Sequence, residues 1–197
     1  MKVNYEITTY CNAKCPTCAR TIRPPELKHA DTFISLGTIQ KFCGERGDAL
    51  MHPNIEKFFD QCSNIEVHTN GGIRKSSWYR RMMKTYPIKF HFGIDGIGED
   101  KYRIGVDNAK AIHNMKETSK EGLTVWEFTL FSWNLKMIPE AIRITWENKN
   151  LKLHLRENRD RDEVLPYDEI ERTFNENKIE EDYPWPYKTP KVILDVP

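Results

Sequence analysis

The chain has 197 residues, 30 Lys plus Arg against 29 Asp plus Glu, and 39% hydrophobic and 11% aromatic content. That length suits one domain with a sizeable core. The near-neutral balance shows neither a basic excess aimed at nucleic acid nor an acidic solvating excess. No apolar run approaches the roughly 18 residues of a membrane span, and Met1 to Tyr10 alternates instead of forming the apolar block of a leader. The expectation is a cytoplasmic protein with no nucleic-acid or membrane partner. In a reducing cytoplasm, clustered cysteines usually bind metal, and an odd total of five fits a disulfide framework poorly.

In chain order, Val3 to Thr9 reads as a strand running into the cysteines, and Phe42 to Gly44 as a short apolar stretch ending in a Gly-rich turn. Pro53 to Cys62 reads as a helix with Pro in its first turn. Ile65 to Thr69 alternates and stops at Asn70-Gly71-Gly72, a strong turn signal. Ser76 to Thr85 predicts a helix, and Ile88 to Ile94 a strand that stops at Asp95-Gly96. Asp107 to Lys120 predicts a helix with an Asp cap, and Thr124 to Phe131 is rich in β-formers. Lys136 to Asn148 reads as a helix carrying Pro139, Leu151 to Leu155 as an alternating strand, and Tyr167 to Lys178 as a last helix. The mixed-sign run from Arg156 to Glu163 reads as a loop at the active-site end, from which Arg156 or Glu157 could reach a ligand. Tyr183 to Pro190 holds too many prolines for a helix, and Val192 to Val196 reads as a short edge strand.

Strands alternating with helices predict parallel βα units. The right-handed crossover leaves an open doubly-wound sheet or a barrel. Eight units usually need about 250 residues, so six fit here as an incomplete barrel. The expected fold class is therefore α/β, an incomplete (βα)6 TIM-like barrel with mostly parallel strands. It would span residues 1–182, with residues 183–197 as a Pro/aromatic-rich tail on the same domain. Active sites in such folds lie at the carboxyl ends of the strands.

The first strand leads into C-N-A-K-C-P-T-C, which places Cys11, Cys15 and Cys18 in C-x3-C-x2-C spacing. A zinc site usually adds a second C-x2-C or an H-x3-H pair, and neither is present. Cys43, Cys62, His29 or His52 could still supply a fourth ligand. A [4Fe–4S] cluster is normally held by four thiolates, so a loop offering three leaves one iron open. The residues alone leave a zinc knuckle and a cluster both open.

This motif resembles the signature of the radical S-adenosylmethionine (SAM) superfamily, and the segment from about residue 3 to 157 is similar in order to its maturase/SPASM-type branch. The resemblance implies that Cys11, Cys15 and Cys18 hold a [4Fe–4S] cluster whose open iron is chelated by SAM. It implies reductive cleavage of SAM to a 5′-deoxyadenosyl radical, which takes hydrogen from an unidentified peptide, protein or small-molecule substrate. An electron donor such as flavodoxin or ferredoxin is implied with it. Arg46-Gly47-Asp48-Ala49 resembles the family's G-G-E-P motif, so Gly47 and Asp48 would receive the SAM amino group. Thr69-Asn70-Gly71 resembles T-N-G and Gly93-Ile94-Asp95-Gly96 resembles S-I-D-G, which marks Thr69, Asn70 and Asp95. Arg103 stands where relatives direct an arginine at the SAM carboxylate, and Asn134 at a polar position near the adenosine.

The chain departs from the family's pattern at Thr17, where an aromatic residue usually precedes the third cysteine, and at Gly93, where Ser is usual. It also lacks the cysteine-rich extension of that branch. Taken singly, Asp48, Asp95 and Asn134 read equally well as turn or helix caps, Asn70-Gly71 as turn chemistry, and Arg103 as a surface residue. The alternative function is an iron–sulfur or zinc-binding module without radical chemistry.

Overall fold

A computed structural model describes residues 1–44, 46–156, Arg172 and 192–195. One parallel sheet runs through it in sequence order, β1 to β7. Its strands are β1 (Lys2–Tyr5), β2 (Ile39–Phe42), β3 (Ile65–Thr69), β4 (Ile88–Gly93), β5 (Thr124–Thr129), β6 (Leu151–Arg156) and β7 (Val192–Asp195). Five α-helices lie between the first six strands: α1 (Ala19–Ile22), α2 (Ile55–Phe59), α3 (Ser76–Thr85), α4 (Asn108–Ser119) and α5 (Ile138–Glu147). Every ladder is parallel, which makes the chain an incomplete TIM-like barrel. No described helix is long and apolar enough to cross a membrane.

Period-two alternation gives the sheet two unlike faces. Phe42, Val67, Phe90, Phe92, Trp126, Phe128, Leu153 and Leu155 form the helix-covered face, and all are essentially inaccessible. Each such side chain stabilises by about 1.5–3 kcal/mol relative to leaving it in water. Tyr79 of α3 seats its ring 5.2 Å from both Phe90 and Phe92. On α4, Ala111 and Met115 bury the same side, while Asp107 caps the helix by accepting from Lys110 N at 2.9 Å. Pro139 sits in the first turn of α5, where its missing N–H costs nothing. Along the opposite, inner face run Lys41, Glu66, His68, Lys89, His91 and Glu127; register pairs Lys41 with Glu66, Glu66 with Lys89 and His68 with His91, and sets Glu127 opposite Gly93.

The first strand is shorter than the alternation of Val3 to Thr9 predicts. Beyond Tyr5 the chain leaves the parallel ladder for an antiparallel contact, with a bridge between Thr8 and His29. Thr9 N donates to Lys28 O at 3.0 Å, and Ala30 N to Ile7 O at 2.8 Å. The second strand is Ile39–Phe42, ahead of the predicted Phe42 to Gly44, and β7 pairs with β6 at the sheet edge. The predicted helix at Tyr167 to Lys178 (Arg172 excepted), the loop at 157–163 and the tail at 183–190 lie outside the described residues.

Candidate metal and cofactor site

Cys11, Cys15 and Cys18 follow β1 and line one cavity of about 160 Å³ at the carboxyl end of the sheet. Gly47, Asp48, Thr69, Asn70 and Arg103 line it too. The five cysteines form no disulfide with one another. Among the described residues, only Glu66, His68 and His91 offer three ligand atoms within 4.8 Å of one another. Burial raises the Cys15 thiol to about 11, although the neighbouring Arg103 opposes the shift. Cys11 is raised as well, first by burial and then by the Asp48 charge.

The cysteine loop is braced from several sides. Asn70 Nδ2 donates to Asn12 Oδ1 at 2.7 Å and lies 3.8 Å from Cys11 Sγ. Arg20 Nε donates to Thr9 O at 3.1 Å, and its Nη1 to Ala13 O at 3.4 Å. Gly47 makes a close approach possible: a Cβ there would lie 2.0 Å from Thr8 O. Its neighbour Asp48 is fixed by its own N–H, which donates to Tyr10 O at 2.9 Å.

The Asp48 carboxylate joins two strand ends. Oδ1 accepts from Leu50 N at 3.0 Å and caps a 3-10 turn at Ala49–Met51. Oδ2 accepts from Thr69 Oγ1 at 2.9 Å and from Asn70 N at 2.8 Å. Burial raises its pKa, and these three bonds work against the rise. Thr69 also accepts from Gly71 N at 3.1 Å.

Asp95 is fully buried behind the cavity wall. Its Oδ1 accepts from Thr129 N at 2.7 Å. Arg103 Nε lies 2.9 Å from Asp95 Oδ2. This is a charge pair rather than an in-line hydrogen bond, because neither atom has a hydrogen-bond partner among the described residues. Burial opposes the Arg103 charge, but Asp95 and Cys15 outweigh it and raise its pKa. Asn134 is also inaccessible: Nδ2 donates to Asp95 O at 2.7 Å and Thr129 O at 2.8 Å, and Oδ1 accepts from Phe131 N at 2.8 Å. It ties the ends of β4 and β5 together and does not line the cavity.

Two departures in the sequence have partners in space. Thr17 Oγ1 lies 2.8 Å from Tyr102 Oη, so an aromatic ring from the loop after β4 stands beside the third cysteine. A Cβ on Gly93 would lie 2.6 Å from Arg103 Nη2. The sequence reading did not single out Arg20, Tyr102, His68 or Glu127. The last two carry a usable signal, being polar at alternate positions of otherwise apolar strands, on the face that turns inward.

No family model matches the sequence, and no curated protein matches it. Solved structures share its fold. SuiB of Streptococcus suis, bound to S-adenosylmethionine, superposes with a TM-score of 0.74 at 14% identity over 99% of this chain and 50% of its own. Native anSMEcpe with bound AdoMet gives 0.64 at 12% identity over 91% of this chain and 59% of its own. A radical SAM methyltransferase from Sphaerobacter thermophilus gives 0.63 at 11% identity over 98% of this chain and 65% of its own. The chain thus has the fold of these proteins and spans about half the length of SuiB.

Proposed function

We propose that the protein is a radical SAM enzyme acting on an unidentified peptide, protein or small metabolite. One observation carries the reading: three cysteines in C-x3-C-x2-C spacing line a single cavity at the carboxyl end of a partial barrel that is also the fold of structures holding S-adenosylmethionine. The donor set fits a cluster with one open position, because the described residues that line the cavity with the three cysteines add no second cysteine pair and no histidine pair. Cys11, Cys15 and Cys18 would hold a [4Fe–4S] cluster, with SAM on its remaining iron. When bound, the pair supplies reductive cleavage of SAM to a 5′-deoxyadenosyl radical that abstracts hydrogen from substrate.

The chain's own residues position and screen. Asp48 is an acceptor-only carboxylate at the cavity and is suited to an ammonium, while Arg103 is suited to a carboxylate. Gly47 brings the main chain against the cysteine loop. Thr69 and Asn70 hold the end of β3 to that loop, and Asp95 and Asn134 keep Arg103 and the β4–β5 edge in place behind the cavity. A flavodoxin or ferredoxin would supply the electron, and the cytoplasm is the compartment such a cluster needs.

Anaerobic reconstitution with iron and sulfide should yield about four of each per chain. With reductant and SAM, the loaded protein should then release 5′-deoxyadenosine. About one zinc and no sulfide, or product formed equally by Cys15→Ala, would overturn the assignment in favour of a metal-binding module.

A further inference from the structure

The inner face of the sheet carries a second cluster, two of whose residues, His68 and Glu127, line the same cavity as the three cysteines. His68 and His91 are paired by register on β3 and β4, and their rings stack with centroids 4.2 Å apart. Both turn Nδ1 to the same oxygen, Glu127 Oε1, at 3.3 Å from His68 and 3.0 Å from His91. Glu127 Oε2 accepts from Arg156 Nη1 at 3.0 Å. A carboxylate oxygen facing both rings favours the tautomer with its proton on Nδ1, and in a neutral imidazole that leaves Nε2 as the acceptor.

Those two Nε2 atoms are buried and have no hydrogen-bond partner among the described residues. The same holds for Glu66 Oε2, which lies on the same face of β3 two residues before His68. Lys2 touches that oxygen without donating in line, and Lys89 Nζ lies 2.7 Å from Oε1. Glu66, His68 and His91 bring one ligand atom each to within 4.8 Å of one another. Each buried acceptor left unmet costs about 1–3 kcal/mol, so the two Nε2 atoms beside the Glu66 carboxylate mark a place for a cation.

We propose that Glu66, His68 and His91 bind a divalent transition-metal ion, with Glu127 fixing both imidazole tautomers from behind. Two histidines and one carboxylate form a ligand set for zinc and for ferrous iron. A carboxylate accepting the remote ring N–H is the usual support for such histidines. Lys2, whose side chain is 45% exposed, can swing into water and yield Oε2 to the ion. The site takes nitrogen and oxygen donors, so it is distinct in chemistry from the thiolate site and does not depend on the radical SAM reading.

The test is cadmium NMR of the full chain, which separates thiolate-bound from nitrogen- and oxygen-bound ions by chemical shift. The expected spectrum has a downfield resonance from the cysteines and a second, upfield one. His68→Ala and His91→Ala should each remove the upfield resonance alone, and the surviving thiolate signal reports a folded chain. Glu127→Gln should weaken zinc binding at this site by roughly 10–100-fold. If a histidine variant loses both signals, Glu66→Gln decides: an upfield resonance retained there at undiminished affinity overturns the site. So does a wild-type spectrum without that resonance, or its persistence in both histidine variants.

Discussion

Gly93 and Arg103 are mutually dependent: the guanidinium lies in the space that any Cβ at position 93 would need, 2.6 Å from Nη2 and 2.9 Å from Cζ. Arg103 is not free to swing away, because Asp95 holds it. Gly93→Ser should therefore cost roughly 1–3 kcal/mol of stability by overpacking. If the protein is the radical SAM enzyme proposed above, it should also weaken SAM binding by the cluster-loaded protein about tenfold, as Arg103 is pushed aside. Thermal melts and isothermal titration calorimetry check the two parts separately.

Removing Arg103 should be worse for stability than removing the pair. Arg103→Ala leaves the Asp95 charge buried and uncompensated, at a cost of about 3 kcal/mol, the low end for such pairs because Arg103 keeps 21% side-chain exposure. For a chain of this size that is a fall in Tm of about 6–12 °C. Adding Asp95→Asn should recover part of the loss. Strictly additive losses in this double-mutant cycle would show that the charges do not interact.

Asp48 serves stability whatever else it binds. Asp48→Ala deprives Leu50 N, Thr69 Oγ1 and Asn70 N of their acceptor in a buried place. A loss of roughly 2–4 kcal/mol is expected, with Asp48→Asn intermediate. Denaturant unfolding of the apo protein measures it, and an unchanged midpoint in Asp48→Ala would contradict the bonding described.

Glu66 sets a pH dependence with a definite sign. Burial would raise its carboxyl, but Lys2 and Lys89 bring it down from 4.5 to about 2. A depressed folded pKa means that the stabilisation is complete above about pH 4.5 and is lost as pH falls toward about 2. Glu66→Gln should melt below wild type at pH 6, and the gap should narrow through that window. A constant gap would mean that the two ammoniums do not act on Glu66.

Metal loading at the cysteines should release protons. Burial keeps Cys15 and Cys11 protonated at neutral pH, and metal ligation demands thiolates. Calorimetry in buffers of different ionisation enthalpy should report about three protons released per occupied site, with tighter uptake as pH rises. Arg103→Ala should weaken uptake without changing the proton count, since Arg103 lowers the Cys15 pKa but leaves it well above neutral pH.

The parts of the fold legible in the sequence are those where pattern and burial coincide. Ser76 to Thr85 and Ile65 to Thr69 match α3 and β3 residue for residue, because a one-sided apolar stripe marks the helix and an Asn-Gly turn ends the strand; Ser76 is the first helical residue and not the cap, since Lys75 precedes the helix without a capping bond. β2 was placed late because I-Q-K-F hides its apolar face behind Gln40 and Lys41, and α1 is four residues with nothing buried to announce it. The spacing of the cysteines singles them out in the sequence, and the fold brings all three to one cavity. Tyr102 beside Thr17 was not, since 85 positions separate the two and only the folded loop joins them. Asn134 illustrates the other difficulty: a side chain at a strand end can face a ligand or tie the strands, and only its three internal bonds decide between them.

Strand order equals chain order across the whole sheet. Each new βα unit can therefore dock on the one just made, with no gap left for a later segment to fill. The braces on the cysteine loop come from Arg20, Gly47, Asp48 and Asn70 of the first three units, and from the loop after β4, where Ile104 O accepts from Lys14 N at 2.8 Å and Tyr102 meets Thr17. A nascent chain emerging from the ribosome therefore completes that loop only when the segment around Arg103 has been made, so the loop and the cavity wall are finished in one event.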